Sequence, residues 1–119
     1  MDGEDAVNWV LGENEEVEFC AIINSHGKIE AGRTRNGRPI LPSNRTYEVL
    51  AARVDLIRRM EESLDEFLGP SQSALIFHSR QYLMLVKIGE KLMCVGLKTG
   101  VSDGDLRKIR LKFLKAKTI

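Results

Sequence analysis

The segment YEVLAARVDLIRRMEESLDEFLGP constrains this chain more than any other. Tyr47, Leu50, Val54, Ile57, Met60, Leu64 and Phe67 recur at steps of three and four, and Gly69-Pro70 closes the run. An amphipathic helix of that length needs an apolar surface to lie on. The next residues supply one, because the period changes. Ala74–His78, Tyr82–Ile88 and Leu92–Lys98 read as three strands, joined by the short turns Ser79-Arg80-Gln81 and Gly89-Glu90-Lys91.

The first third of the chain follows the same logic. Asp5–Leu11 is a short helical pattern with Val7, Val10 and Leu11 on one side and Gly12 as its stop. Val17–Asn24 turns to β-type residues, with Val17, Phe19, Ala21 and Ile23 on one face and Glu18, Cys20, Ile22 and Asn24 on the other. Ser25-His26-Gly27-Lys28 is a turn, and Lys28–Thr34 returns as the second strand of a hairpin. Arg35–Asn44 holds two prolines and a glycine and reads as a loop, with Ser43 or Asn44 placed to cap the long helix. At the other end Ser102-Asp-Gly-Asp105 opens a last helix in capping-box style, with Leu106, Ile109 and Phe113 as its buried stripe and Ala116 continuing that side.

The order is α-β-β-α-β-β-β-α, an α+β arrangement of five mainly antiparallel strands. The middle and last strands are apolar on both faces, which calls for cover on both sides of the sheet. The long helix is expected on one face and the two terminal helices on the other. At 119 residues, 43% apolar and 29% charged, the chain has the makings of one domain, 1–119. No apolar run reaches the roughly 18 residues of a membrane span, and the acidic N-terminus is unlike a secretory leader, so a cytoplasmic location is expected. Cys20 and Cys94 sit in apolar stretches without C-x-x-C spacing and read as reduced core residues.

The hairpin FCAIINSHGKIEAGR, the long helix, and the meander ALIFHSRQYLMLVKIGEKLMCVGLKTG with its closing helix resemble the roadblock family of the profilin-like and longin-like group. The wording LGPSQSALI looks closest to uncharacterised archaeal members. The resemblance covers essentially the whole chain and implies the sheet order 2-1-5-4-3. It also implies homodimerisation through the long helix and the third strand, and a role as a platform for Ras-like small GTPases or other complexes. The chain departs from the common family pattern in its loop from Pro39 to Pro42 and in the Arg-rich exit of its second strand.

Chemistry is sparse. There is no G-x-x-x-x-G-K-[ST] phosphate loop, and Asp103 and Asp105 oppose an anion at the one Gly-bearing strand-to-helix turn. His26 and His78 lack carboxylate or cysteine partners at ligand spacing, so no metal is expected. Ser25 beside His26 lacks an acid and an oxyanion motif. Neither an enzyme nor a cofactor-binding protein is indicated, and no aromatic residues interleave the bases for nucleic-acid stacking. Residues 1–18 carry seven acids and no base, and residues 107–119 six bases and no acid. Either the two ends meet each other, the reading favoured by the sheet order, or the basic end meets an outside polyanion.

Two functions remain. In the first, a non-enzymatic homodimeric scaffold or regulator uses Leu50, Val54 and Ile57 of the helix, widened by Ala51, Ala52 and Leu56, together with Leu75, Ile76 and Phe77 of an edge strand that carries no Lys or Pro. In the second, a small-ligand sensor holds an anion near Arg33, Arg35, Arg38 and Arg45. The same arginines equally suit an acidic partner or carboxylates across a dimer.

Overall fold

Strands apolar on both sides require cover on both sides, and the computed structural model, which describes residues 2–115, meets that requirement with helices. The elements are α1 (Gly3–Glu13), β1 (Val17–Ile23), β2 (Ile29–Thr34), a 3-10 turn (Arg35–Gly37), α2 (Asn44–Glu62), α3 (Asp65–Leu68), β3 (Ser73–Phe77), β4 (Tyr82–Ile88), β5 (Lys91–Leu97) and α4 (Asp103–Leu114). All strand pairs are antiparallel in the order β2-β1-β5-β4-β3, as the family resemblance implies.

Two apolar layers result. Phe19, Ala21, Ile23, Leu85 and Cys94 face α2, which buries Ala51 and Val54 against them. Cys20, Ile22, Met84, Val86 and Val95 face α1 and α4, which contribute Val7, Val10, Leu106, Ile109 and Phe113. Each large apolar side chain buried in this way contributes about 1.5–3 kcal/mol of transfer free energy. Trp9 of α1 meets Phe113 of α4 edge to face, with ring centroids 6.0 Å apart, so the two terminal helices also hold each other.

Local chemistry fixes the helix starts. Asp2, Ser43 and Ser102 each accept a hydrogen bond from the backbone N–H three residues on, at 2.8, 3.2 and 3.2 Å. Three expectations are corrected. Gly12 does not stop α1, which runs to Glu13. The stop is Asn14, whose side chain donates back to the Val10 carbonyl at 3.3 Å. Val17 lies with Cys20 and Ile22, not with Phe19, because the β1–β5 register shifts between Val17 and Phe19. The long helix does not run unbroken to Phe67. The Ser63 hydroxyl donates to the Met60 carbonyl at 2.6 Å, α2 ends there, and the short α3 leaves Phe67 and Leu68 exposed.

Two polar locks tie helices to strand ends. Asp55, nearly buried on α2, accepts hydrogen bonds from Arg58 and from Arg59 Nε, the latter at 2.9 Å. Arg59 also donates to the Ser25 carbonyl at 3.2 Å and Arg58 to the Glu90 carbonyl at 3.3 Å, so one carboxylate organises contacts to two hairpin turns. The first turn is shaped for it. Gly27 has φ +75°, and a Cβ there would stand 3.0 Å from Asp55 Oδ2. Burial pushes the Asp55 carboxyl up, but the hydrogen bonds and charges of Arg59 and Arg58 outweigh it and hold the group below the usual carboxylate range.

The second lock is Arg35. Its Nε donates to the Val17 carbonyl at 2.7 Å, and its Nη2 to the Leu11 and Asn14 carbonyls at 2.6 and 2.7 Å. One guanidinium therefore satisfies the open C-terminal end of α1 and the start of β1, where a cation is also favoured by the helix dipole.

Both locks give testable outcomes. Because the folded Asp55 pKa is depressed, its contribution is whole above about pH 4 and drains away as pH falls through the folded value. Asp55→Asn is expected to lower stability at pH 7 by roughly 2–3 kcal/mol, reduced from the fully buried case because Arg59 is largely exposed. It should also flatten the acid limb of stability below about pH 4 in urea titrations. Arg35→Ala is expected to cost about 1.5–3 kcal/mol in the same assay. Arg35→Lys should recover less than half of that, since an ammonium lacks the forked geometry that reaches three carbonyls.

Candidate interaction surface

The side of α2 turned away from the sheet carries an apolar strip with Arg53 beside it. Val49, Leu56 and Met60 are 46%, 57% and 62% exposed, and their spacing of seven and four places them on one side of the helix. Between that side and β3 runs a groove of about 610 Å³, lined by Ile40, Leu41, Val49, Leu50, Leu56, Ile57 and Ile76 among others. The loop after β2 forms its far wall. The Tyr47 hydroxyl accepts from the Ile40 and Leu41 N–H groups at 3.0 and 3.2 Å, and its ring stacks on Phe19 at 5.5 Å. Ile40 and Leu41 are thereby presented beside the helix.

β3 is the sheet edge at this side and, among the described residues, pairs only with β4. Its side chains alternate. Ala74 and Ile76, opposite Leu85 and Leu83, face α2, whereas Ser73, Leu75 and Phe77, opposite Val86, Met84 and Tyr82, face the α4 side. The edge carries neither Lys nor Pro, the residues that ordinarily discourage strand pairing.

The expected interface residues therefore divide. Leu50, Ile57 and Ile76 line the groove together. Val54 lines the floor of the same groove, at 1% exposure and packed beside Ala51 in the apolar layer beneath α2. Leu75 and Phe77, 38% and 59% exposed, belong to the opposite face of the same strand. Val49 was not singled out from the sequence, although its place seven residues before Leu56 carries the signal.

The four arginines do not form one anion site. Arg33 donates to the Asn8 side chain on α1, and Arg35 is the carbonyl clamp at the end of that helix. Arg38 and Arg45 are exposed and make no ion pair among the described residues. A neighbouring cavity of about 860 Å³ between β2 and the start of α2 is floored by Phe19, Ala21 and Gly32. Glu48 and Arg33 are its charged lining residues, an arrangement of mixed sign.

The remaining reactive groups are quiet. Cys20 and Cys94 are buried and unpaired, and burial pushes both thiols up, Cys94 to about 12, so they stay protonated at neutral pH. His26 and His78 are exposed in turns, and among the described residues no three His, Cys, Asp or Glu side chains gather as a metal site. No described helix is long and apolar enough to cross a membrane.

The opposed terminal charges meet at one point among the described residues, Lys112 Nζ to Glu13 Oε2 at 3.9 Å. Lys117 and Ala116 lie outside the described residues. Arg107, Lys108 and Lys115 make no ion pair among the described residues, and Arg110 Nε donates to the Ser73 hydroxyl at 2.8 Å. Among the described residues, mutual neutralisation of the two ends is therefore slight.

No family model and no curated protein sequence matches the chain. Solved structures do. The gliding protein MglB from Thermus thermophilus aligns with a TM-score of 0.74 at 17% identity, over 94% of this chain and 82% of that one. A second MglB structure is described as having a tetrameric arrangement. A Roadblock/LC7 domain from Streptomyces avermitilis aligns with a TM-score of 0.72 at 8% identity, over 97% and 93% of the two chains. Profilin IA from Acanthamoeba castellanii aligns with a TM-score of 0.64 at 12% identity, over 95% and 94%. The chain has the fold shared by Roadblock/LC7 domains and profilins.

Proposed function

We propose that residues 1–119 form a single roadblock-family domain acting as a non-enzymatic, homodimeric interaction module of the cytoplasm. The observation that carries this reading is the continuity of the bare apolar side of α2 with the unpaired edge of β3. Pairing of β3 with its copy around a two-fold axis normal to the sheet would join two sheets into one of ten strands. The same axis sets the two α2 helices antiparallel on one face, closing the groove lined by Leu50, Ile57 and Ile76 against Leu56 and Met60 of the second copy. The outer surface of the paired helices is then a platform for a further protein, and the family resemblance makes a Ras-like small GTPase the first candidate. Kinship with archaeal members rests on the wording of the LGPSQSALI segment.

Support for a non-enzymatic role comes from the thiols held protonated by burial and from arginines engaged by backbone carbonyls and Asn8. The anion-sensor alternative has no comparable observation behind it, because its guanidiniums are divided between the α1 contacts and open solvent.

Light scattering on the eluting protein at micromolar concentration is expected to give twice the 13.4 kDa chain mass. A strict monomer overturns the reading. Leu56→Glu, on the open side of α2, should leave the melting temperature of the protomer nearly unchanged. It should weaken the dimer by about 1.5–3 kcal/mol, or roughly 10- to 150-fold in the dissociation constant.

A further inference from the structure

Asn36 and Gly37 stand at the tip of the 3-10 turn that follows β2. Asn36 has φ 56° and ψ 23°, Gly37 has φ 69°, and both residues are exposed. The Arg38 N–H closes the turn on the Arg35 carbonyl at 3.2 Å. Apart from the two neighbouring residues, no atom lies within 4 Å of the place a Gly37 Cβ would occupy, so the pair is open to water.

The chain has five asparagines, and four of them are held. Asn8 lies in α1 and its Oδ1 accepts from Arg33. Asn14 is buried and its Nδ2 donates to the Val10 carbonyl at 3.3 Å. Asn24 Oδ1 accepts from the His26 and Lys28 N–H groups at 2.9 and 3.1 Å. Asn44 is the first residue of α2, with its backbone in the helix. Asn36 alone is followed by glycine, and among the described residues nothing holds its side-chain amide.

We infer that Asn36 is a self-acting modification site, at which the Gly37 backbone nitrogen turns the side-chain amide into a carboxylate by way of a cyclic imide. The Gly37 nitrogen gives its proton to hydroxide or a buffer base and attacks Asn36 Cγ. The N–Cγ bond forms, the Cγ–Nδ2 bond breaks, and Nδ2 takes up a proton and leaves as ammonia. A five-membered succinimide remains, and water adds to one of its two carbonyls. Cleavage at Cγ yields an aspartate; cleavage at the backbone carbonyl carbon yields an iso-aspartate, whose main chain runs through Cβ.

Local chemistry favours the first step. Glycine has no Cβ to crowd the attacking nitrogen. Rotation about the Asn36 ψ brings that nitrogen towards its own Cγ and loosens one long hydrogen bond, while Arg35 and the Tyr47 tie hold the loop on either side. Arg38, two residues on and exposed, adds positive charge that stabilises the anionic nitrogen and the oxyanion formed in passing.

The product changes what the loop presents. Asn36 and Gly37 line the cavity of about 860 Å³ together with Glu48. The Arg33 guanidinium is drawn to Asn8 on the other face of the sheet, so a carboxylate at position 36 makes the cavity acidic. The formal net charge of +1 drops by one unit. None of this requires a second copy or a partner.

The full chain is incubated in neutral and in mildly alkaline buffer beside the free peptide TRNGRPIL, which serves as the positive control. Trypsin releases residues 36–45 as one peptide, because Pro39 protects the bond after Arg38, and electron-transfer fragmentation assigns a gain of about one dalton to Asn36 or to Asn44. The gain is expected at Asn36, faster at the higher pH and at least about tenfold faster than at any of the other four asparagines. Hydroxylamine, which opens the succinimide, should cut the chain between Asn36 and Gly37. Asn36→Gln, which closes a larger ring more slowly, should remove the gain, and Gly37→Ala should slow it by at least about tenfold, with circular dichroism reporting the fold of each variant. Should the left-handed φ at Gly37 unfold Gly37→Ala, Asn36→Gln decides alone. A folded chain whose Asn36 stays intact while the peptide converts, or converts no faster than Asn24, overturns the inference. So does a gain that persists in Asn36→Gln.

Discussion

Three strands, β1, β5 and β4, bury both of their faces, and almost everything else in the molecule answers to that fact. A strand apolar on one side can leave the other to water, but Cys20, Ile22, Met84 and Val95 lie back to back with Phe19, Ala21, Leu85 and Cys94. Helices must therefore occupy both sides, and a chain of this length has only enough of them to cover the middle of the sheet. The two edge strands, β2 and β3, are left with less cover. The α2 groove opens beside β3, where the helical cover runs out.

Much of this was legible in the sequence. Alternation along Val17–Asn24 revealed the first strand, unbroken apolar runs along Tyr82–Ile88 and Leu92–Lys98 revealed strands apolar on both faces, and steps of three and four revealed α2 and α4. The sheet order came from the family resemblance rather than from periodicity, because strand pairing is a long-range choice that local patterns do not encode. The misreadings also share a cause. Gly12 inside α1, the register shift at Val17 and the break at Ser63 each depend on a neighbour distant in sequence or on one side-chain hydrogen bond. Apolar periodicity is blind to both.

The Arg-rich segment shows the same limit at the level of function. By composition Arg33, Arg35, Arg38 and Arg45 are one cluster. In space Arg33 serves Asn8, Arg35 serves three carbonyls, and Arg38 and Arg45 stand in solvent. A count of charges along a sequence says nothing about which of them the backbone will recruit. Leu50, Ile57 and Ile76 were readable as neighbours because a helix and a strand each have a fixed period. Val54 lies with them and is the most deeply buried of the four, a difference that was not legible because a stripe drawn from the sequence does not say which edge of it meets the sheet.

Arg35 has one more consequence. The chain leaves β2 at a residue fastened to the Leu11, Asn14 and Val17 carbonyls and re-enters regular structure at Ser43, whose hydroxyl fixes the first turn of α2. The stretch from Asn36 to Pro39 thus hangs between the Arg35 post and the next tie, where the Ile40 and Leu41 N–H groups meet the Tyr47 hydroxyl. Insertions there would meet mainly the entropy of a longer loop, about 0.6 kcal/mol for each doubling. In the evolution of such a domain, this is where new sequence can be tried without disturbing the sheet, and it lies beside the groove where a change of partner would be felt.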